Sequence, residues 1–195
     1  MTAATNSVVD VERSNKARDA QTIDDYVSAC HFGGRGAQQR LYEYCNKRVY
    51  RLLLRMVGLD DAEDLLQQVF LQVFRTMTQF SGQSRFESWL YRVAVNEALQ
   101  HLRKQRRRRC VSLESDLMDR KPDQEREFDH KELIGHALAR LEPDLRSVFL
   151  LRELENQSYA EISAAMKIPE GTVASRLNRA RQFLKQYLTE SGWEQ

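Results

Sequence analysis

The stretch from Ser158 to Tyr187, SYAEISAAMKIPEGTVASRLNRARQFLKQY, constrains this chain most. Ser158 and Glu161 stand three apart ahead of an apolar run, the spacing of a capping box, so a helix is expected from there to about Met166. Pro169 cannot continue that helix but suits the opening turn of the next. From Thr172 the residues separate at helical spacing. Val173, Leu177, Ala180 and Leu184 form an apolar stripe, and Thr172, Ser175, Arg176 and Arg179 form a polar, cationic one opposite. Two short helices with donors on the outer face of the second suit the major groove of DNA. Arginine can bridge the acceptors of guanine, and amides at a helix start can hold a phosphate. The same pattern also describes a surface helix hairpin with a solvated basic face.

Upstream, a first helix is expected from about Thr22, carrying Ile23, Tyr26 and Val27 and ending at Gly33-Gly34. A second runs from about Ala37 to Val57, stopped by Gly58. A third, from about Asp61 to Thr78, buries Leu65, Leu66, Val69, Val73 and Met77. Its opposite face shows Asp64, Gln67, Gln68, Gln72 and Arg75 around Leu71. A leucine bordered by amides and a carboxylate fits a protein contact or ordinary surface equally well.

Phe80, Ser81, Gly82, Gln83 and Ser84 form a polar loop. Ser84 and Glu87 repeat the capping-box spacing, opening a helix from about Arg85 to Arg106. That helix is apolar over most of its circumference. One stripe holds Trp89, Arg92, Asn96, Gln100 and Arg103, beside a tail with six cations in the eight residues Leu102 to Arg109. An indole among cations and amides suits single-stranded nucleic acid, with rings on bases and cations on phosphates. Inward packing of Trp89 at the edge of the stripe is the alternative.

Residues 110–142 carry nine acidic and five basic residues, which reads as a solvated tether next to a polyanion contact. The tether itself ends at about 127: a helix from near Glu127 ends before Pro143, and another spans about Asp144 to Glu153. No alternating strand pattern is evident. The expected fold is all-α: two small helical domains joined by a flexible linker, the C-terminal one containing a helix-turn-helix. The boundaries are a mobile tail at 1–20, a first domain at 21–106, a linker at 107–127 and a second domain at 128–195.

Three cysteines without CxxC spacing, Cys30, Cys45 and Cys110, point to reduced thiols in a cytoplasmic protein. No histidine pairs with a cysteine at zinc-site spacing, and no apolar run approaches 18 residues. No metal, cofactor or catalytic residue is expected. An enzyme is disfavoured because no cluster of carboxylates or histidines has workable geometry. A stand-alone helix-turn-helix regulator would leave the Trp89 stripe and the Asp64/Gln67 face unexplained.

The segments DAEDLLQQVFLQVFRTMTQFSGQSRFESWLYRVAVNEALQHLR (Asp61 to Arg103) and LARLEPDLRSVFLLRELENQSYAEISAAMKIPEGTVASRLNRAR (Leu138 to Arg181) together resemble bacterial RNA polymerase sigma factors of the extracytoplasmic-function (ECF) type, which have regions 2 and 4 only. The resemblance implies docking of Asp64, Gln67, Gln68 and Leu71 on the clamp helices of the largest subunit of core RNA polymerase. It implies capture of a flipped base of the −10 element by Phe80 to Ser84, with Trp89, Arg92, Asn96, Gln100 and Arg103 along the open strand. It implies reading of the −35 duplex of promoter DNA by Gly171, Thr172, Ser175, Arg176, Asn178 and Arg179, supported by Arg152. It also implies a linker in the RNA-exit path and control by a cognate anti-sigma factor. Three positions depart from the family pattern. Lys167 stands where glycine is usual, costing roughly 1 kcal/mol if φ is positive there. Ala174 stands where a basic residue is frequent, and Gln100 where an acidic one is.

Overall fold

The computed structural model describes residues 23–30, 35–112 and 130–192. The expected tail at 1–20 and residues 113–129 of the expected linker lie outside them. Eight α-helices make up the described residues, and no strand occurs among them. Helix α1 spans 23–30, α2 Arg35–Val57, α3 Leu59–Thr76, α4 Phe86–Ser112, α5 His130–Arg140, α6 Pro143–Glu153, α7 Tyr159–Met166 and α8 Glu170–Glu190.

The first four helices form around one apolar face each. On α2 the buried stripe is Leu41, Cys45, Val49, Leu52, Leu53 and Met56, recurring at steps of three and four. It packs on α3, whose Leu65, Leu66, Val69, Phe70 and Val73 face inward, and both pack on α4. Tyr42 meets Phe70 edge-on at 4.7 Å between centroids. Gly58 separates α2 from α3 with φ 92°, a conformation open to glycine at no steric penalty.

Helix α4 runs beyond its expected end at Arg106, so residues 107–112 of the expected linker are helical. The tract there is arginine-rich with no glycine or proline, so it has good helix propensity and no stop signal. At the other end, α4 starts one residue later than expected. The Trp89 amide donates to the Arg85 carbonyl at 3.2 Å, which makes Arg85 the capping position. Glu87 pairs with Arg85 at 3.3 Å, and no hydrogen bond joins Ser84 and Glu87 among the described residues. The expected second capping box is therefore not formed; the adjacent cation takes the carboxylate.

The C-terminal helices follow the sequence closely. Ser158 caps α7, with its hydroxyl accepting from the Glu161 amide while the Glu161 carboxylate accepts from the Ser158 amide. Lys167 closes α7 in the left-handed region at φ 55°. Pro143 opens α6 at its first turn, and Pro169 occupies the capping position of α8. Val173, Leu177, Ala180 and Leu184 are all buried on α8, against α5, α6 and α7.

The two helical sets are packed on each other. α6 and α7 lie on α4, while α5 and α6 lie on α2. One continuous apolar cluster runs from Ile23 to Leu184.

Candidate nucleic-acid interface

Three separate surfaces carry the expected site residues. On α3, Asp64, Gln67 and Gln68 are exposed and Leu71 is 57% exposed. Burial of Leu65, Leu66, Val69 and Val73 turns these four outward, because the helical period places them about half a turn from the core stripe. A shallow groove of about 370 Å³ between α2 and α3, lined by Tyr42, Asn46, Lys47, Tyr50, Glu63, Leu66 and Gln67, runs beside them. An exposed leucine among amides next to an aromatic-walled groove is a surface suited to another protein.

The second surface lies at the start of α4. A single turn of 3-10 helix, Met77–Gln79, ends α3, and the Phe80 amide closes it on the Met77 carbonyl at 3.0 Å. Ser81, Gly82, Gln83 and Ser84 then cross solvent, with Gly82 at φ 72°. Beneath the loop is a cavity of about 590 Å³, walled by Asp24, Val27 and Ser28 of α1 and by Phe80, Ser81, Gly82, Ser84, Arg85, Phe86 and Glu87. The participation of α1 was not anticipated from its sequence; an amphipathic pattern shows which face of α1 is buried but not what that face adjoins.

Trp89 departs from the expected strand-facing role. It is 6% exposed and packed in an aromatic triad, 5.5 Å from Phe80 and 5.7 Å from Phe86, with Phe80 and Phe86 5.6 Å apart. Phe80 folds back from the loop over the first turn of α4, and covering the indole removes a large apolar area from water. Trp89 thus buttresses the loop and leaves no open ring face for a base. The rest of its stripe is accessible. Asn96, Gln100 and Arg103 are exposed and Arg92 half-buried, and a groove of about 230 Å³ between α3 and α4 is lined by Gln72, Thr76, Gln79, Arg92, Asn96 and Gln100 with the edge of Trp89.

The third surface is the outer face of α8. Gly171, Ser175, Asn178 and Arg179 are exposed, with Thr172 and Arg176 half-buried. Arg176 pairs with Asp144 of α6 at 3.2 Å. Arg152 lies further in, donating to the Gln157 carbonyl at 2.9 Å with its guanidinium 5.6 Å from the Tyr159 ring. It therefore holds the turn before α7 in place rather than reaching outward.

Between these surfaces is a polar cluster that the sequence did not disclose. The Ser88 hydroxyl of α4 lies 2.7 Å from Gln157 Oε1 and 2.8 Å from Glu161 Oε1. Burial alone would raise the Glu161 carboxyl, but hydrogen bonds from Ser158 and Ser88 hold it below the usual range. Tyr91 hydrogen-bonds Glu155; burial pushes both upward, for Glu155 against the opposing pull of Tyr91, Arg48, Arg51 and Arg55. Cys45 is buried with its thiol pushed up to about 12, mainly by desolvation, so it is unreactive near neutral pH. Among the described residues no group of three or more His, Cys, Asp or Glu could hold a metal ion, and no helix is long and apolar enough to cross a membrane.

These surfaces coincide with two known sequence families. The Sigma-70 region 2 family matches residues 41–108, and the Sigma-70, region 4 family matches residues 131–184. The ECF RNA polymerase sigma-E factor of Escherichia coli is 35% identical over 151 residues, covering 70% of this chain and 78% of that protein. That of Haemophilus influenzae is 31% identical over 166 residues, covering 78% and 88%. The chain belongs to the ECF sigma-factor family.

A third relative, the ECF RNA polymerase sigma factor SigE of Mycolicibacterium smegmatis, is 37% identical over 155 residues; the match spans 75% of this chain but 60% of that protein. Among solved structures, the sigma factor RpoE in complex with the anti-sigma factor NepR from Bartonella quintana has a TM-score of 0.64 at 24% identity, covering 77% of this chain and 96% of that one. CnrH in complex with the cytosolic domain of CnrY has a TM-score of 0.63 at 20% identity, covering 85% and 96%. These two share the fold. In this sigma factor, region 2 takes in most of α2 together with α3 and α4 up to Arg108, and region 4 takes in α5 to most of α8.

Proposed function

We propose that this chain is a promoter-specificity subunit with no catalysis of its own. It docks on core RNA polymerase through the outer face of α3, at Asp64, Gln67, Gln68 and Leu71, against the clamp helices of the largest subunit. The Phe80–Ser84 loop takes an unpaired base of the −10 element into the cavity beneath it. Arg92, Asn96, Gln100 and Arg103 follow the opened strand, and Trp89 holds the loop in shape. The outer face of α8 reads the −35 duplex through Thr172, Ser175, Arg176, Asn178 and Arg179, with the start of the helix at Gly171 on a phosphate.

The observation that carries this reading is the presence, on one chain, of three accessible surfaces of different chemistry. One is suited to protein, one is a cavity large enough for a base, and one is a cationic helix face. Binding energy for the captured base offsets the few kcal/mol of unstacking. A tether between two modest sites raises avidity through effective concentration. A cognate anti-sigma factor is expected as regulator, a partner class also present in the complex of RpoE with NepR.

The test is a fluorescence titration of the labelled protein against bacterial core polymerase without DNA. Saturable nanomolar binding, lost in Asp64→Arg, is the expected result. Tight binding to duplex DNA alone with no affinity for a competent core would favour a stand-alone regulator.

A further inference from the structure

Helix α1 forms one wall of the cavity under the Phe80–Ser84 loop, yet it lies outside the Sigma-70 region 2 match, which begins at residue 41. Its cavity-lining residues, Asp24, Val27 and Ser28, stand at i, i+3 and i+4, so they share one face of the helix. Burial of Ile23, Val27 and Cys30 fixes how α1 is turned. Val27 goes inward, while Asp24 and Ser28 flank it with their side chains exposed. The neighbouring Asp25 is also exposed but does not line the cavity.

The other walls differ in chemistry. Phe80 is half-buried and packs on Phe86 and Trp89, which makes a rigid apolar surface on one side. Two further charged groups of α4 and its start line the cavity, and they balance each other: Glu87 pairs with Arg85 at 3.3 Å. Asp24 is not balanced in this way. Among the described residues it has neither a hydrogen-bond nor an ion-pair partner. The cavity therefore combines an apolar wall, suited to the face of a ring, with one carboxylate whose acceptor capacity is unused.

An ionised carboxylate accepts hydrogen bonds and donates none. The four bases differ in what they offer it. Adenine, cytosine and guanine each carry an exocyclic amine, which donates. Thymine has none, and carbonyls flank its single ring N–H. A bond from an amine to a carboxylate is charge-assisted and stronger than one between neutral groups. A base without the amine would desolvate Asp24 and leave it without a partner, which adds to the discrimination.

We propose that Asp24 is a specificity-determining residue of this cavity: its carboxylate accepts from the exocyclic amine of the captured base, so adenine, cytosine or guanine is taken and thymine is rejected. The inference rests on the base-capture reading above. It adds α1 to the surface that meets the −10 strand, and it assigns the choice of base to a helix rather than to the loop.

The test uses holoenzyme assembled from the full-length chain, with promoter DNA recovered by that holoenzyme. Abasic substitution at each −10 position of the non-template strand, read as competitor-resistant open complex, locates the captured base as the position where the wild type loses most. At that position the natural base is then replaced by its analogue lacking the amine: purine for adenine, pyrimidin-2-one for cytosine, hypoxanthine for guanine. Removing the amine should weaken wild-type opening about tenfold or more, and opening by Asp24→Ala less than about twofold, because amine and carboxylate share one bond. Asp24→Ala should also accept thymine there about as well as the natural base. Asp25→Ala should behave as wild type, and circular dichroism checks the fold of both variants. A captured position that carries thymine in the recovered promoter overturns the proposal. So does amine removal that affects wild type and Asp24→Ala equally, and this outcome leaves base capture itself standing. If no abasic substitution matters to the wild type, the capture reading fails and this inference fails with it.

Discussion

The Arg176 guanidinium lies 3.2 Å from the Asp144 carboxylate, so the central cation on the outer face of α8 is held by the first turn of α6. The pair is part-exposed, with side-chain exposures of 24% and 41%, and contributes little to stability. Under the proposed reading of α8, its effect is on DNA binding. Asp144 restrains Arg176 in one orientation and offsets its charge. Asp144→Asn should leave folding intact, raise affinity for non-specific duplex and steepen the salt dependence by about one counterion. Arg176→Ala should do the reverse and relax base preference at one −35 position, at about 1–3 kcal/mol. Salt-dependent anisotropy on matched duplexes reads both. An unchanged slope in both variants would remove Arg176 from the interface.

Leu71 tests the proposed polymerase-docking surface without disturbing the core. At 57% exposure it contributes little to folding, so Leu71→Asp should leave the thermal midpoint within a degree or two. A carboxylate at the centre of a desolvated protein contact should weaken core polymerase binding about tenfold or more. Retained affinity would move the docking surface elsewhere on the chain.

Trp89 separates a structural role from a strand-contacting one. Truncating a buried aromatic leaves a cavity, so Trp89→Ala should lose about 3–5 kcal/mol by denaturant titration. Trp89→Phe keeps a ring between Phe80 and Phe86 and should lose much less. If Trp89 acts by holding the loop, the Phe variant should open promoter DNA nearly as well as wild type by permanganate reactivity. A Phe variant that is stable but cannot melt DNA would restore a direct contact with the strand.

Lys167 is held at φ 55°, where a Cβ is strained and glycine is not. Lys167→Gly should therefore stabilise the helix-turn-helix by up to ~1 kcal/mol, the relief of strain exceeding the added freedom of the unfolded chain. A rise in the denaturation midpoint checks it, and a fall would mean that the lysine side chain makes a compensating contact.

Much of this was readable in advance because it depends on local chemistry. Ser158 and Glu161 cap α7 as their spacing demands, and the Val173–Leu184 stripe of α8 is buried at every predicted position. Lys167 stands where the family resemblance puts glycine, which left its φ open, and the structure places it at positive φ. What escaped reading depends on partners distant in sequence. Trp89 sits at the edge of its helical stripe, and only the return of Phe80 decides that it is covered. Arg146 looks like an ordinary surface cation until the ends of α2 and α5 meet over it. Ser88 and Gln157 are 69 residues apart, and neither type announces a partner.

Glu155 gives the packed form a pH dependence with a definite sign. Burial, outweighing its bond from Tyr91 and the cations Arg48, Arg51 and Arg55, raises its carboxyl above the ordinary value of 4.5. Just above that value the folded protein keeps a proton that the unfolded chain has released. Stability therefore falls as pH rises from about 4.5 through the raised folded value. Glu161 acts oppositely. Its lowered carboxyl contributes stability above the ordinary value, which is lost as pH falls below it. Glu155→Gln keeps the shape and can still accept from Tyr91 but cannot titrate. Plotted as variant minus wild type, its thermal midpoint should climb as pH rises above 4.5, while that of Glu161→Gln should climb as pH drops below 4.5. A flat difference for Glu155→Gln would mean that its carboxylate is hydrated, and that water reaches the seam between α4 and the turn after α6.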